Sequence, residues 1–156
     1  IAEEALSSAR TITFSDIPQG FRDLELRVTG PAGDTSRLLT VQLNGDTGDN
    51  YKGHRGRFQN TSANATTYAA RASAIIGNIK GHGPQVTVAT FHNYAASGVK
   101  AITSVTRLEP SEGTFEQVMW FFVWAGTDAI TSITIDADGY DLSAGTVASL
   151  YGIGRR

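Results

Sequence analysis

Six basic and aromatic residues lie within eight consecutive positions of the 156-residue sequence: Tyr51, Lys52, His54, Arg55, Arg57 and Phe58. Arginine presents a planar fork of donors that binds carboxylates and phosphates, and Arg and Tyr are enriched at subunit interfaces. The cluster therefore predicts a contact with an anionic ligand or glycan, a contact between subunits, or a solvated loop. With Tyr68, it supplies the candidate contact residues of the chain.

The segment just before this cluster is rich in side-chain oxygen atoms. Asn44, Asp46, Asp49 and Asn50 fall within seven residues, together with Gly45 and Gly48. Hard cations such as calcium bind several oxygen ligands, so Asp46 and Asp49 are the candidate metal ligands. The spacing does not match the twelve-residue calcium loop, and Asn, Asp and Gly are also the residues typical of tight turns. A turn is the favoured interpretation.

Catalytic motifs are absent from the sequence. His54, His82 and His92 form neither HxH nor HExxH, and no cysteine complements them. There is no Gly-x-Ser-x-Gly turn, no phosphate-binding glycine loop and no spacing that selects two carboxylates for glycoside hydrolysis. We therefore expect a non-enzymatic protein without a metal or other cofactor.

The elements that must position these residues are strands. Val, Ile and Thr make up 38 of the 156 residues, whereas Lys occurs three times and Glu six times, a composition that favours sheet over helix. Alternating apolar residues bounded by turn residues predict eight or nine strands and an all-β antiparallel sandwich of jelly-roll type. The predicted segments are 11–14, 22–29, 38–43, 68–79, 85–94, 99–108, 115–125, 130–137 and 147–153.

Three segments carry further expectations. The strand 115–125 is apolar on both faces and is expected to be central, with Trp120, Phe122 and Trp124 on the face that forms the core or a buried subunit contact. The polar stretch 44–64 predicts a long loop or short extra strands within one domain. Residues 1–9 are expected to lead into a single sandwich domain that covers 10–156.

Charge, cysteine content and hydropathy exclude other classes. A formal net charge of −2 argues against a general nucleic-acid binder. No apolar run reaches the roughly 18 residues of a membrane span, and no signal-peptide pattern begins the sequence. The absence of cysteine removes disulfides and thiolate sites, and it leaves the cellular compartment open.

Three motifs in order resemble a family of tailed-phage and prophage virion β-sandwich domains. They are TFSDIPQGFRDL at 13–24, LNGDTGDNY at 43–51 and SLYGI at 149–153. Phe21 stands where the family often has Tyr. The resemblance implies a jelly-roll domain on the virion surface, as a capsid decoration or head fibre or as a tail or fibre module. It carries no catalytic residues. With this resemblance, the missing cysteines fit a virion protein that is assembled in the reducing cytoplasm of a bacterial host.

The resemblance also implies partners. Such modules commonly assemble around an axis, so we expect a homotrimer that contacts capsid or tail proteins, with Tyr51, Arg55 and Arg57 as contact residues in the polar stretch. The alternative hypothesis is a carbohydrate-binding module that recognises host surface glycans through Tyr51, His54 and Tyr68. A glycan-degrading enzyme is a third hypothesis and would require two carboxylates that converge in a groove.

Overall fold

The computed structural model describes residues 1–30, 37–79, 85–111 and 113–155, and every ladder in these ranges is antiparallel. The strands are β1 (Ala2–Ala5), β2 (Ile12–Phe14), β3 (Phe21–Gly30), β4 (Arg37–Leu43), β5 (Tyr51–Gln59), β6 (Ser62–Arg71), β7 (Ala74–Ile79), β8 (Gln85–Phe91), β9 (Lys100–Ser111), β10 (Thr114–Trp124), β11 (Ile133–Asp136) and β12 (Val147–Arg155).

Two sheets of unequal width face each other. The larger has eight strands in the order β1-β12-β3-β8-β9-β10-β5-β6, and the smaller has four in the order β2-β11-β4-β7. The chain crosses repeatedly between the sheets, so the fold is a β-sandwich of jelly-roll type, as the sequence predicts. Because four strands cover only part of an eight-stranded sheet, the β5–β6 end of the larger sheet extends beyond the smaller one.

The core lies between the sheets and follows the period-two alternation of the strands. Leu24, Leu26 and Val28 project from the larger sheet, and Ile133 and Ile135 project from the smaller one. Burial of these apolar side chains is the main stabilising contribution to the fold. The pattern of alternation therefore identifies the inward faces of β3 and β11 correctly.

The structure has more strands than the eight or nine predicted: twelve occur in the part of the chain that it describes. The polar stretch 44–64 is not a long loop, since it supplies β5 and the start of β6, a hairpin of nine- and ten-residue strands. The predicted strand 68–79 divides between β6 and β7. Residues 2–5, expected to lead into the domain, pair with β12 as an edge strand.

The LNGDTGDNY motif forms a braced loop between β4 and β5. Asn44 adopts a left-handed φ of 53°, and its Oδ1 accepts hydrogen bonds from the N–H groups of Thr131 (2.8 Å) and Ser132 (3.1 Å). The Leu43 N–H donates to the Tyr51 hydroxyl at 2.8 Å. These bonds fasten the loop to the segment before β11 and explain the residue types of the motif structurally.

The first and last motifs meet at one contact between Phe21 and Gly152. A Cβ atom built on Gly152 would lie 2.3 Å from Phe21 Cγ, so only glycine leaves room for the ring. In the same region, Gln19 Nε2 donates to the carbonyl oxygens of Ile17 (2.7 Å) and Ile130 (3.0 Å). The motifs at both ends of the sequence therefore depend on each other through packing.

Candidate functional site

The larger sheet has an outer face, the one turned away from the smaller sheet, that is apolar at its centre. Residues on β10 alternate between the two faces, with Trp120 and Phe122 directed inward and Met119, Phe121 and Val123 directed outward. Phe121 is 45% exposed and Val123 is 42% exposed. Single exposed apolar residues are common on proteins, whereas a contiguous exposed apolar patch marks an interaction surface.

Neighbouring strands continue this apolar surface across the sheet. Met119 lies opposite Val105 on β9, and Val105 lies opposite Val88 on β8. Phe121 lies opposite Thr103, and Val86, at the start of β8, is 44% exposed. We call six of the outward-facing hydrophobic residues on β8, β9 and β10 the outer apolar band: Val86, Val88, Val105, Met119, Phe121 and Val123.

Two open depressions lie along the outer apolar band. One, of about 480 Å³, is lined in part by Lys52, His54, Thr103, Phe121 and Val123. The other, of about 530 Å³, is lined by Val86, Val88, Val105, Arg107 and Gln117. No carboxylate is among the described residues that line either depression, so neither has the pair of acids that glycoside hydrolysis requires.

Polar groups flank the band on both sides. On the β5 side, His54 Nδ1 lies 3.3 Å from the Thr67 hydroxyl. On the β3 side, Arg27 Nε donates to Glu25 at 2.7 Å, and its guanidinium carbon lies 5.0 Å from the centre of the Tyr151 ring. An apolar centre with a polar border is the usual anatomy of a protein–protein interface.

The predicted contact residues do not form one site. Tyr51 is fully buried, so its expected role as an interface or glycan contact is wrong. Lys52 and His54 lie on the outer face, whereas Arg55, Arg57 and Tyr68 lie on the inner face of the same hairpin. Alternation along β5 separates residues that are close in sequence, and the set Tyr51, His54 and Tyr68 does not converge.

Arg55, Arg57 and Tyr68 cover the end of the larger sheet that extends beyond the smaller one. The Tyr68 ring centre lies 5.9 Å from that of Trp120, and the Arg55 guanidinium carbon lies 5.8 Å from the Trp120 ring centre. Arg57 donates to the buried Glu116 at 2.7 Å, and this hydrogen bond raises the pKa of Arg57. These side chains shield the core from solvent, and Arg57 pairs with the buried Glu116 carboxylate.

Asp46 is a structural brace. Its carboxylate accepts hydrogen bonds from Trp124 Nε1 (2.7 Å), the Gly48 N–H (2.9 Å) and Asn50 Nδ2 (2.9 Å). The Trp124 bond is the chief cause that lowers the pKa of Asp46. Asp49 is exposed, and no group of three or more metal-ligating side chains occurs in the described ranges. The donors that occupy Asp46 account for the turn without a metal.

The histidines do not assemble into a site. His92 lies in the turn after β8, and its Nε2 is 2.9 Å from the Thr103 hydroxyl. His54 is exposed on β5, and His82 lies outside the described residues. Sequence reasoning missed Val86, Val88, Val105 and Arg107 as members of one surface. Their alternation in β8 and β9 was visible, but only the strand order brings them beside Phe121.

Several solved structures are similar to this chain. Galectin LEC-6 of Caenorhabditis elegans is similar to this chain, with 11% sequence identity and a TM-score of 0.41, over 96% of this chain and 95% of that one. No family model matches the chain, and no curated protein matches it. No helix in the described ranges is long and apolar enough to cross a membrane.

Proposed function

We propose that this chain is a non-enzymatic structural component of a tailed-phage virion surface, either a capsid decoration or head fibre or a tail or fibre module. It assembles through contacts between its own copies, and its position on the virion brings it against capsid or tail proteins. The uncovered outer apolar band is the observation that carries the assembly role. The three ordered motifs support the virion role.

The size of the outer face is adequate for a stable contact. Strands about 4.8 Å apart make an eight-stranded sheet about 38 Å wide, and about eight residues of each strand add about 27 Å of length. The face therefore covers about 1,000 Å², against the roughly 800 Å² per partner of a standard interface. The outer apolar band occupies its centre, so that three copies arranged around an axis bury their hydrophobic surfaces together.

The self-association is tested by replacing Phe121 with a charged residue. Phe121→Glu places a carboxylate in the outer apolar band, beside His54 and Lys52. In a single copy, these two side chains and solvent can pair with the carboxylate. Val99→Glu is the matched control, because Val99 is 62% exposed and lies in the loop before β9. Light scattering after gel filtration should show a lower mass for Phe121→Glu only. Equal masses for all three chains would overturn the assembly role of this face.

The virion role is tested on particles. Antibodies raised against the purified chain should label tailed particles from the source culture at a regular position, as seen by electron microscopy. Particles that bind none of the antibody, from a lysate in which the chain is present, would contradict the virion role and leave the self-association intact.

Carbohydrate binding is the second candidate function, and one observation favours it. Phe121 shares its depression with Lys52, His54 and Thr103, and an exposed aromatic ring beside hydrogen-bonding groups suits a sugar. A glycan array compares the chain with Phe121→Glu. Binding that Phe121→Glu abolishes and Val99→Glu retains would support this candidate, and an array without hits would remove it.

A further inference from the structure

We infer that the edge strand β6 pairs with β6 of a second copy of this chain, in antiparallel orientation, and joins two larger sheets into one. The inference rests on the proposed role in assembly but concerns a different surface from the outer face, and the two can fail separately. Its basis is the contrast between β6 and the other three sheet edges.

Three of the four edges have features that oppose further pairing. β1 is four residues long and carries Glu3 and Glu4, and β2 is three residues long. β7 has a register shift opposite Leu39 and Thr40. Short strands, charged residues and bulges are the usual means by which proteins protect sheet edges.

β7 has an additional protection from the facing sheet. The carbonyl oxygen of Ile76, at the irregular point of β7, accepts hydrogen bonds from the hydroxyls of Ser104 (2.7 Å) and Thr106 (3.4 Å) on β9. An acceptor that is already occupied in this way is not free to extend a ladder.

Between Ser62 and Tyr68, β6 has none of these protections; its register shift against β5 lies beyond this segment, opposite Tyr51 and Gly53. It is ten residues long, with no proline, and no charged residue precedes Arg71 at its end. It pairs with β5 on one side, and no described strand pairs with it on the other. Alternate residues of a strand direct their N–H and C=O groups to opposite sides, so about half of its backbone groups face outward. Such an edge is a template for another strand.

The occupant that fits is a second β6, because a two-fold axis at Ala65 gives a ladder in which no charged residues oppose each other. Within one copy, the pairing of β6 with β5 is regular from Ser62 to Tyr68. With the two-fold axis at Ala65, Ala63 of one copy lies opposite Thr67 of the other, and Asn64 lies opposite Thr66. All seven residues are uncharged. The ladder would contain about six backbone hydrogen bonds.

The same axis has a consequence for the outer face. A two-fold axis perpendicular to the sheet keeps both outer faces on one side, so the two eight-stranded sheets become continuous. Two outer apolar bands then lie on one surface. The β6 contact is therefore compatible with assembly through the outer face and links copies in a second direction.

The test uses charge at the two-fold axis. Ala65 is exposed on the outer face, opposite Gly56 on β5, so a longer side chain there can extend into solvent in a single copy. In the pair, Ala65→Lys would place two ammonium groups against each other and weaken association at least about tenfold. Ala65→Glu should act equally, and a mixture of the two variants should restore the pair. Ala144→Lys, in an exposed turn, is the matched control.

Light scattering of four chains separates this inference from the proposed function: the unmodified chain, Ala65→Lys, Phe121→Glu and the double variant. We expect Ala65→Lys to halve the assembly mass and Phe121→Glu to leave a dimer. An Ala65→Lys mass equal to that of the unmodified chain, or a Lys and Glu mixture that does not associate, would overturn the β6 pairing. A fall in mass with Phe121→Glu would still support the outer-face contact in that case.

Hydrogen exchange gives a second readout that does not depend on mass. Amide protons that point outward from β6 should be slow to exchange in the assembled chain and fast in Ala65→Lys, while those of β9 stay slow in both. Fast exchange throughout the outward side of β6 in the assembled chain would also overturn the inference. Slow exchange in β9 shows that the variant is folded.

Discussion

Tyr51→Phe tests whether the first aromatic residue of the basic cluster belongs to the core. The Tyr51 hydroxyl accepts a hydrogen bond from the Leu43 N–H at 2.8 Å and donates to the Asp46 carbonyl at 3.3 Å. Its ring stacks on Trp124, with ring centres 6.4 Å apart. Phenylalanine keeps the stacking and removes the hydroxyl, so the substitution isolates the hydrogen bonds.

The expected loss at neutral pH follows from one buried donor. Without the hydroxyl, the Leu43 N–H has no partner, which costs about 1–3 kcal/mol of the free energy of unfolding. For a domain of this size, each kcal/mol lowers the melting temperature by about 2–4 °C. Tyr51→Phe should therefore melt several degrees below the unmodified chain at pH 8. Tyr140→Phe, at an exposed tyrosine, is the control.

The loss should shrink at high pH. Burial, the largest cause, raises the pKa of Tyr51 from 10.0 to about 12. The unfolded chain therefore releases this proton near pH 10, whereas the folded chain holds it until about pH 12, and the stability falls as the pH rises between these values. At pH 11 this effect is about 1.4 kcal/mol. Tyr51→Phe lacks it.

Urea unfolding of both chains at pH 8 and pH 11 measures the difference. We expect the gap in the free energy of unfolding to narrow by about 1.4 kcal/mol at pH 11. Equal stability of the two chains at pH 8 would refute the buried hydrogen bond. A gap that is the same at both pH values would refute the assignment of Tyr51 to the core.

Four further predictions concern residues that stabilise the fold. Gly152→Ala should lower the free energy of unfolding by about 1–3 kcal/mol, because the added Cβ would overlap the Phe21 ring. In thermal melts, Phe21→Leu added to this variant should restore part of the loss. Arg57→Leu should lower the free energy of unfolding by about 1–3 kcal/mol, because it leaves the Glu116 carboxylate buried without its cation. The double variant Arg57→Leu/Glu116→Gln should recover most of this loss, and no recovery would contradict the pairing. Millimolar calcium should leave the melting temperature unchanged. The pKa of Asp46 is lowered from 3.8, so its contribution to the free energy of unfolding should be lost as the pH falls below that value. Asp46→Ala should therefore melt closer to the unmodified chain in acid than at pH 7.

Much of the fold could be predicted from local pattern. The alternation in β3, β10 and β11 identified their inward faces, since a half-buried strand has one apolar side. Trp120 and Phe122 were expected in the core or in a buried subunit contact, and both are buried in the core. The β5–β6 hairpin could not be identified in the same way, because its inner face carries Arg55, Arg57 and Thr66 instead of aliphatic residues.

The candidate site depends on strand order, which local pattern does not contain. Val86, Val105 and Phe121 are far apart in sequence and become neighbours only because β8, β9 and β10 are adjacent. Tyr51 was misassigned because its position in a polar, basic segment suggested exposure. The hydrogen bond to Leu43 that fixes it in the core joins two strands across a loop and has no signature in sequence.

The central claim is that copies of this chain assemble through the outer face of the larger sheet. Its most direct test is the mass in solution of Ala65→Lys, in which the β6 contact is weakened, with and without Phe121→Glu. The account predicts about 50 kDa, three times the 16.6 kDa of one chain, for Ala65→Lys and the single-chain mass for the double variant. A mass of 16.6 kDa for both chains at high micromolar concentration would contradict it.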